Sequence, residues 1–377
     1  MLSDPCPASF REAKPPRSTA ALLVLASVLF VAFAPAAGAA EDRDEIVLDG
    51  LFAARFASLE EASRRLGGRD PFVRAMGALD RRVRLGTDRD VDEEEYLRFA
   101  RSAAREWGED RERVAGALRS IAPALRKLEL PWPATVTFVA TSGDEEGGAA
   151  YCRDGAVFLP QPMIERVGDG LPRLIAHELF HILSSSRKDL RRAVYRALGA
   201  TEARLELPKD MAARRITNPD AAGIDAVWRV EVDGEPGETL DVHAAPILLH
   251  RSTDDSKGAP FFRQLSLEFV AVEQASERTA PRTDEEAAVE SALPLFRPKL
   301  RDGEPWLIPL RENASFWRSI GRNTSYIIHP EEVAADNFAH LVLSAKDLRS
   351  PEILERLRHA LASRPEAAVA EMRAARR

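Results

Sequence analysis

Cysteine is nearly missing from this 377-residue chain, which has only Cys6 and Cys152. Cys6 lies in a leader expected to be removed, so the exported chain has no pair from which to close an internal disulfide. Its stability must come from packing. A basic excess is missing as well: 53 Lys and Arg stand against 60 Asp and Glu, a formal charge of −7. Residues 1–40 hold three basic and two acidic residues, so their loss leaves −8. That balance carries no basic footprint, which removes nucleic acid from the expected partners. Beyond residue 40 no run is apolar enough to span a bilayer, and no internal repeat is visible.

The first forty residues have a clear pattern of their own. Arg11, Lys14 and Arg17 precede the apolar run Ala20–Ala34, which leads into Pro35-Ala-Ala-Gly-Ala-Ala40. This is the order of a secretory signal, with cleavage expected after Ala39 or Ala40. The apolar run is shorter than the roughly 20 residues a membrane-spanning helix needs. A periplasmic or extracellular protein with no permanent anchor is expected. Asn313-Ala-Ser315 and Asn323-Thr-Ser325 fit the glycosylation pattern.

The most informative stretch is His177-Glu178-Leu179-Phe180-His181, within Leu171-Pro-Arg-Leu-Ile-Ala-His-Glu-Leu-Phe-His-Ile-Leu183. Leu171, Leu174, Ile175, Leu179, Ile182 and Leu183 recur at helical spacing and predict an amphipathic helix. Asp169 is placed to cap its start, and Pro172 falls in the first turn, where a missing N–H costs little. Side chains at i and i+4 stand on one face, so His177 and His181 can offer two imidazole nitrogens to one metal ion. Glu178 is a neighbour able to take a proton from a water that the metal polarises. The pattern points to zinc (Zn2+) and to hydrolysis.

A catalytic zinc takes three protein ligands and keeps a fourth position open, so a third donor must lie elsewhere. A third histidine six residues after His181 is excluded, because Arg187 stands there and Ser184 replaces the accompanying glycine. Glu202 lies at the spacing of a glutamate supplied by a nearby helix. Glu332 is the stronger candidate, in His329-Pro-Glu-Glu-Val-Ala-Ala-Asp-Asn-Phe-Ala339. A helix opening at Pro330 puts Glu332, Asp336 and His340 on one face. Glu332 could then bind metal while Asp336 accepts the outer N–H of a ligating histidine. Glu331 and Glu202 stay open as alternatives.

The His-Glu-x-x-His helix, followed far along the chain by Glu332-Val-Ala-Ala-Asp336, resembles the two ligand helices of the gluzincin metallopeptidases. Thr324-Ser-Tyr326 before the glutamate and Phe338 after it are similar to the corresponding part of the anthrax lethal factor catalytic domain group. That resemblance implies a zincin-like fold and peptide-bond hydrolysis. It also implies that the Tyr326 phenol faces the reacting carbonyl and stabilises its developing oxyanion. Glu332 stands 151 positions after His181, farther than the separation in compact gluzincins.

The expected architecture is α+β. It comprises a signal peptide (1–40), a helical amino-terminal domain (41–130), a zincin core with a small mixed sheet (131–225), a β-rich insertion (226–300) and a helical carboxy-terminal lobe carrying the third ligand (301–377). Thr135–Ala140 reads as a strand and Ala149–Pro160 as a hairpin turning at Asp154-Gly155. Its edge could pair with an extended protein or peptide substrate. Cys152 is expected as a buried unpaired thiol, and Asn218-Pro219-Asp220 as turn chemistry. The expected activity is that of an exported zinc metallopeptidase with Glu178 as general base. Alternatives are a zincin-fold envelope binding or scaffold protein with a vestigial or structural metal site, and a zinc hydrolase of a non-peptide amide.

Overall fold

The computed structural model describes residues 45–235, 237–251, 259–275 and 293–363. The expected signal peptide and its cleavage point lie outside the described residues, as does most of the polar linker after Gln274.

The described fold is α+β. Strands β1 (Glu45–Leu48) and β2 (Phe52–Phe56) come first. The short helices α1 (Leu59–Leu66), α2 (Pro71–Ala75), α3 (Ala78–Leu85) and α4 (Glu93–Ser102) follow, then the long α5 (Asp110–Leu128). Strands β3 (Thr135–Thr141), β4 (Tyr151–Arg153) and β5 (Ala156–Pro160) complete a mixed sheet in the order β1-β2-β3-β5-β4. Asp154 and Gly155 turn the β4–β5 hairpin with φ of 48° and 68°, the positive pair that a tight two-residue hairpin turn requires.

Successive strand residues point to opposite faces, and both faces of this sheet are covered. Val139, Tyr151 and Phe158 pack with Phe72, Tyr96 and Leu97 of the early helices. Val136, Phe138, Val157 and Leu159 face a larger core shared with α5 and the motif helix. The expectation of a helical domain over residues 41–130 is therefore corrected. Its first two strands join the sheet, and its helices form a layer of the same body. Phe52-Ala-Ala-Arg-Phe56 buries alternate residues, so pairing with β3 overrides the helix preference of its alanines.

After α6 (Gln161–Val167) the chain enters α7 (Leu171–Ser186), then α8 (Lys188–Ala197). Asp169 does not cap α7. Gly170 holds the cap position without a side-chain bond, and Asp169 sits in the preceding 3-10 turn. What fixes α7 is burial of Leu171, Ile175, Leu179, Phe180, Ile182 and Leu183, each worth about 1.5–3 kcal/mol when fully removed from water.

The β-rich section is a closed barrel of β6 (Ala200–Leu205), β7 (Asp225–Asp233), β8 (Thr239–His250), β9 (Leu265–Gln274) and β10 (Leu295–Pro298). It is antiparallel except where β10 closes in parallel on β6. Val227, Ile247, Leu249, Val270 and Phe296 form an inner cluster. Alternate residues Trp228, Ala244, Phe269 and Ala271 belong to the main core, where Trp228 meets Phe316 edge-on at 5.1 Å. The barrel is thus fused to the helices, and among the described residues the boundaries expected near 130, 225 and 300 are changes of element type within one compact unit. Between β6 and β7 lies a connection holding α9 (Lys209–Arg214) and the segment Thr217–Ile224. A two-stranded ribbon, β11 (Leu300–Arg301) with β12 (Glu304–Pro305), precedes α10 (Ala314–Ile320), α11 (Pro330–Val342) and α12 (Pro351–Ala362). Among the described residues no helix is long and apolar enough to cross a membrane.

Candidate metal centre

α7 and α11 pack side by side, and almost every residue of α11 is buried, including Glu331, Glu332 and Asp336. Carboxylates are tolerated at such depth only with partners, and each has them. Glu332 Oε2 lies 3.3 Å from His177 Nε2 and 3.6 Å from His181 Nε2. One donor atom from each of the three residues lies within 4.8 Å of the others, a group able to hold a metal ion.

The outer nitrogens decide how the rings are presented. His177 Nδ1 meets Asp336 Oδ1 at 3.2 Å, and Asp336 also accepts from Arg173 Nη2 at 2.8 Å and from the Thr324 hydroxyl. His181 Nδ1 meets Glu331 Oε1 at 3.2 Å, while Glu331 Oε2 accepts from the Tyr195 hydroxyl at 2.6 Å and the Ser184 hydroxyl at 2.9 Å. An imidazole donating Nδ1–H to a carboxylate turns the Nε2 lone pair inward, as metal-binding histidines require. His181 Nε2 is buried and has no hydrogen-bond partner. An orphaned lone pair beside a second imidazole and a carboxylate fits a cation.

The electrostatics are those of a crowded acid–imidazole cluster. Burial opposes a charged His177 ring, but its bonds to Asp336 and Glu332 outweigh that and push the imidazole up to about 9. Burial would raise the Glu332 carboxyl, yet the two imidazoles and Asn218 bring it below the usual value. Glu178 differs. Burial raises its carboxyl despite the nearby histidines, which suits a group that takes and returns a proton. Its Oε2 accepts a long bond of 3.4 Å from the Cys152 thiol.

The fold brings His177, Glu178, His181, Glu332 and Asp336 together. Tyr326 lies at the rim, 41% exposed, with its ring centroid 6.3 Å from that of His177. Glu202 is elsewhere: it sits in the barrel wall, where Arg191 Nε at 2.6 Å and Arg192 Nε at 3.0 Å occupy its oxygens. Glu331 holds the outer side of His181 and stands outside the inner donor group. Cys152 is a buried free thiol, as expected. The outward N–H of Cys152 on edge strand β4 is filled by Asp220 Oδ1 at 2.6 Å, so an extended substrate would find that donor taken. No protein-family model, curated protein or solved structure matches the chain.

Several contributing residues escape a reading by motif. Arg173 and Ser184 stand four before His177 and three after His181, so helical spacing could have flagged them. His329, just before the helix-starting Pro330, caps α11 by accepting the Glu331 N–H at 3.1 Å. Asn218 donates to Glu332 Oε1 at 2.8 Å, and Asp220 Oδ1 lies 3.9 Å from His181 Nε2. No local signal marks these two beyond their turn chemistry, which is present as well: Asn218 Oδ1 accepts the Asp220 N–H at 3.1 Å. The two glycosylation asparagines have engaged amides. Asn313 Nδ2 donates to the Glu231 carbonyl at 2.6 Å, and Asn323 Nδ2 to the Ser350 carbonyl at 2.7 Å.

Proposed function

We propose that this protein is an exported zinc-dependent metallopeptidase of gluzincin type on a zincin-like core, with His177, His181 and Glu332 as the zinc ligands. The observation that carries the reading is the convergence of two Nε2 atoms on one Glu332 oxygen, each ring gripped from behind by its own carboxylate. Zinc, when bound there, supplies a Lewis acid that polarises the substrate carbonyl and makes water acidic near neutral pH.

The chain's own groups account for the rest. Asp336 and Glu331 keep the rings in the required tautomer. Glu178, raised by burial, accepts the proton of the attacking water and delivers it to the leaving amine. Tyr326, beside His177 and open to the rim, donates its phenol to the carbonyl oxygen as negative charge develops. A peptide or protein segment is the substrate class this chemistry serves.

The test is the zinc content of the purified chain beside Glu332→Ala and Glu202→Ala, read on folded protein. Near-unit zinc in the parent, lost without Glu332 and kept without Glu202, is expected. A parent that takes up no zinc after loading overturns the proposal. Casein and cell-wall fragments, offered to the zinc-loaded parent and to Glu178→Gln, separate a peptidase from a hydrolase of another amide.

A further inference from the structure

The connection from β6 to β7 leaves the barrel and returns to the helices, and there its 217–224 segment is pinned on three sides. On the side of α3, Asp80 Oδ2 accepts the Thr217 N–H at 2.9 Å, and Arg84 Nη2 donates to the Thr217 carbonyl at 2.6 Å. Asp80 and Arg84 are both buried and bonded to each other at 3.0 Å, and Arg84 is further paired with Glu146. On the side of α11, the His329 Nε2–H donates to the Ile224 carbonyl at 3.1 Å. On the side of the sheet, Asp220 takes the Cys152 N–H. Asn218 sits among these anchors and gives its amide to Glu332 Oε1.

We infer that this segment is a positioning bracket for the metal centre, in which α3 fixes Thr217, Thr217 fixes Asn218, and Asn218 turns Glu332 so that Oε2 faces the two histidines. The inference rests on the zinc-site reading proposed above. A carboxylate with both oxygens free can rotate about its terminal bond, whereas one with Oε1 bound to a fixed amide presents the other oxygen in a set direction. A group that orients a ligand in this way typically contributes about 10–100-fold to metal affinity. Two consequences follow. The barrel supports the site through its connection, and residues 78–85 belong to the working structure of the site.

Zinc affinity, measured by competition with a chromophoric chelator, tests this together with the melting temperature of the metal-free chains. Asn218→Ala should bind zinc about 10–100-fold more weakly while the metal-free chain still folds, and Asn218→Gln, which keeps a donor, should recover part of the loss in affinity. Asp80→Asn should weaken zinc by a smaller factor and add nothing further to Asn218→Ala, because it acts through the same residue. Affinity of Asn218→Ala within twofold of the parent overturns the bracket while leaving the zinc ligands intact. Additive losses in the double variant overturn the link to α3. A parent that binds no zinc overturns this inference and the metallopeptidase reading together.

Discussion

Glu332 and Glu202 are both buried glutamates within reach of one long helical layer, yet their surroundings make them opposites. In the barrel wall two guanidinium groups close on Glu202 and leave it nothing to offer. Between α7 and α11, Glu332 has one oxygen held by a neutral amide and the other facing the inner nitrogens of two imidazoles. In the zinc reading proposed above, a buried carboxylate serves as a ligand where a neutral donor holds one oxygen and imidazole nitrogens face the other. Ringed by arginines, it becomes a piece of internal architecture.

The sharpest way to break this contrast is to exchange outcomes. Glu332→Ala should eliminate stoichiometric zinc while the chain stays folded, measured by metal analysis and circular dichroism; zinc retained would place the third donor elsewhere. Glu202→Ala should do the reverse. It leaves Arg191 buried beside an empty place, at a cost of about 3–5 kcal/mol in denaturant unfolding. A loss below about 1 kcal/mol would mean that the Arg191 pair contributes little.

A smaller effect is expected behind the histidines. Asp336→Ala removes the acceptor of His177 Nδ1 and should weaken zinc by about 10–100-fold, with stoichiometry intact at saturating metal. The same affinity as the parent would show that Arg173 and Thr324 were holding Asp336 for some other purpose.

The mildest test uses a third buried carboxylate, Glu146, which like Glu202 faces an arginine. Burial pushes its carboxyl up to about 7 against the pull of Arg84, with Asp80 adding to the rise. The folded chain therefore binds this proton more tightly than the unfolded one. Its contribution is fully present below about 4.5 and is lost as pH rises through about 7. Subtracting the stability-against-pH curve of Glu146→Gln from that of the parent should give a difference that falls across this window. A flat difference would mean that Arg84 keeps Glu146 ionised throughout.

How much of this was legible in the chain follows from the range of each interaction. His177, Glu178 and His181 are local: an i, i+4 pattern on an apolar stripe needs no tertiary information. Glu332 and Asp336 were visible for the same reason on a second helix, and their meeting with α7 was expected from the need for a third ligand, although the packing that brings the two helices together was not legible. Strands β7 and β8 announced themselves by β-branched and apolar alternation. β6 did not, because Ala200-Thr-Glu-Ala-Arg-Leu205 has helix-favouring residues, and its strand form depends on pairing with β7 and on Arg191 and Arg192 neutralising Glu202. Asn218 and Asp220 were the least legible. Their own sequence encodes a turn, and only the anchors on α3, α11 and β4 convert that turn into part of the site.

The paired grips on the outer nitrogens of His177 and His181 have a kinetic meaning. Asp336, Glu331, Tyr195, Ser184 and Thr324 set both rings through bonds that involve neither inner nitrogen. In the zinc reading proposed above, the receptacle is therefore assembled by folding alone, unlike small domains whose shape is created by the ion they capture. Such a protein would tolerate stripping by a chelator, persist in its empty form, and refill on the timescale of diffusion and dehydration of the ion without waiting for the chain to reorganise.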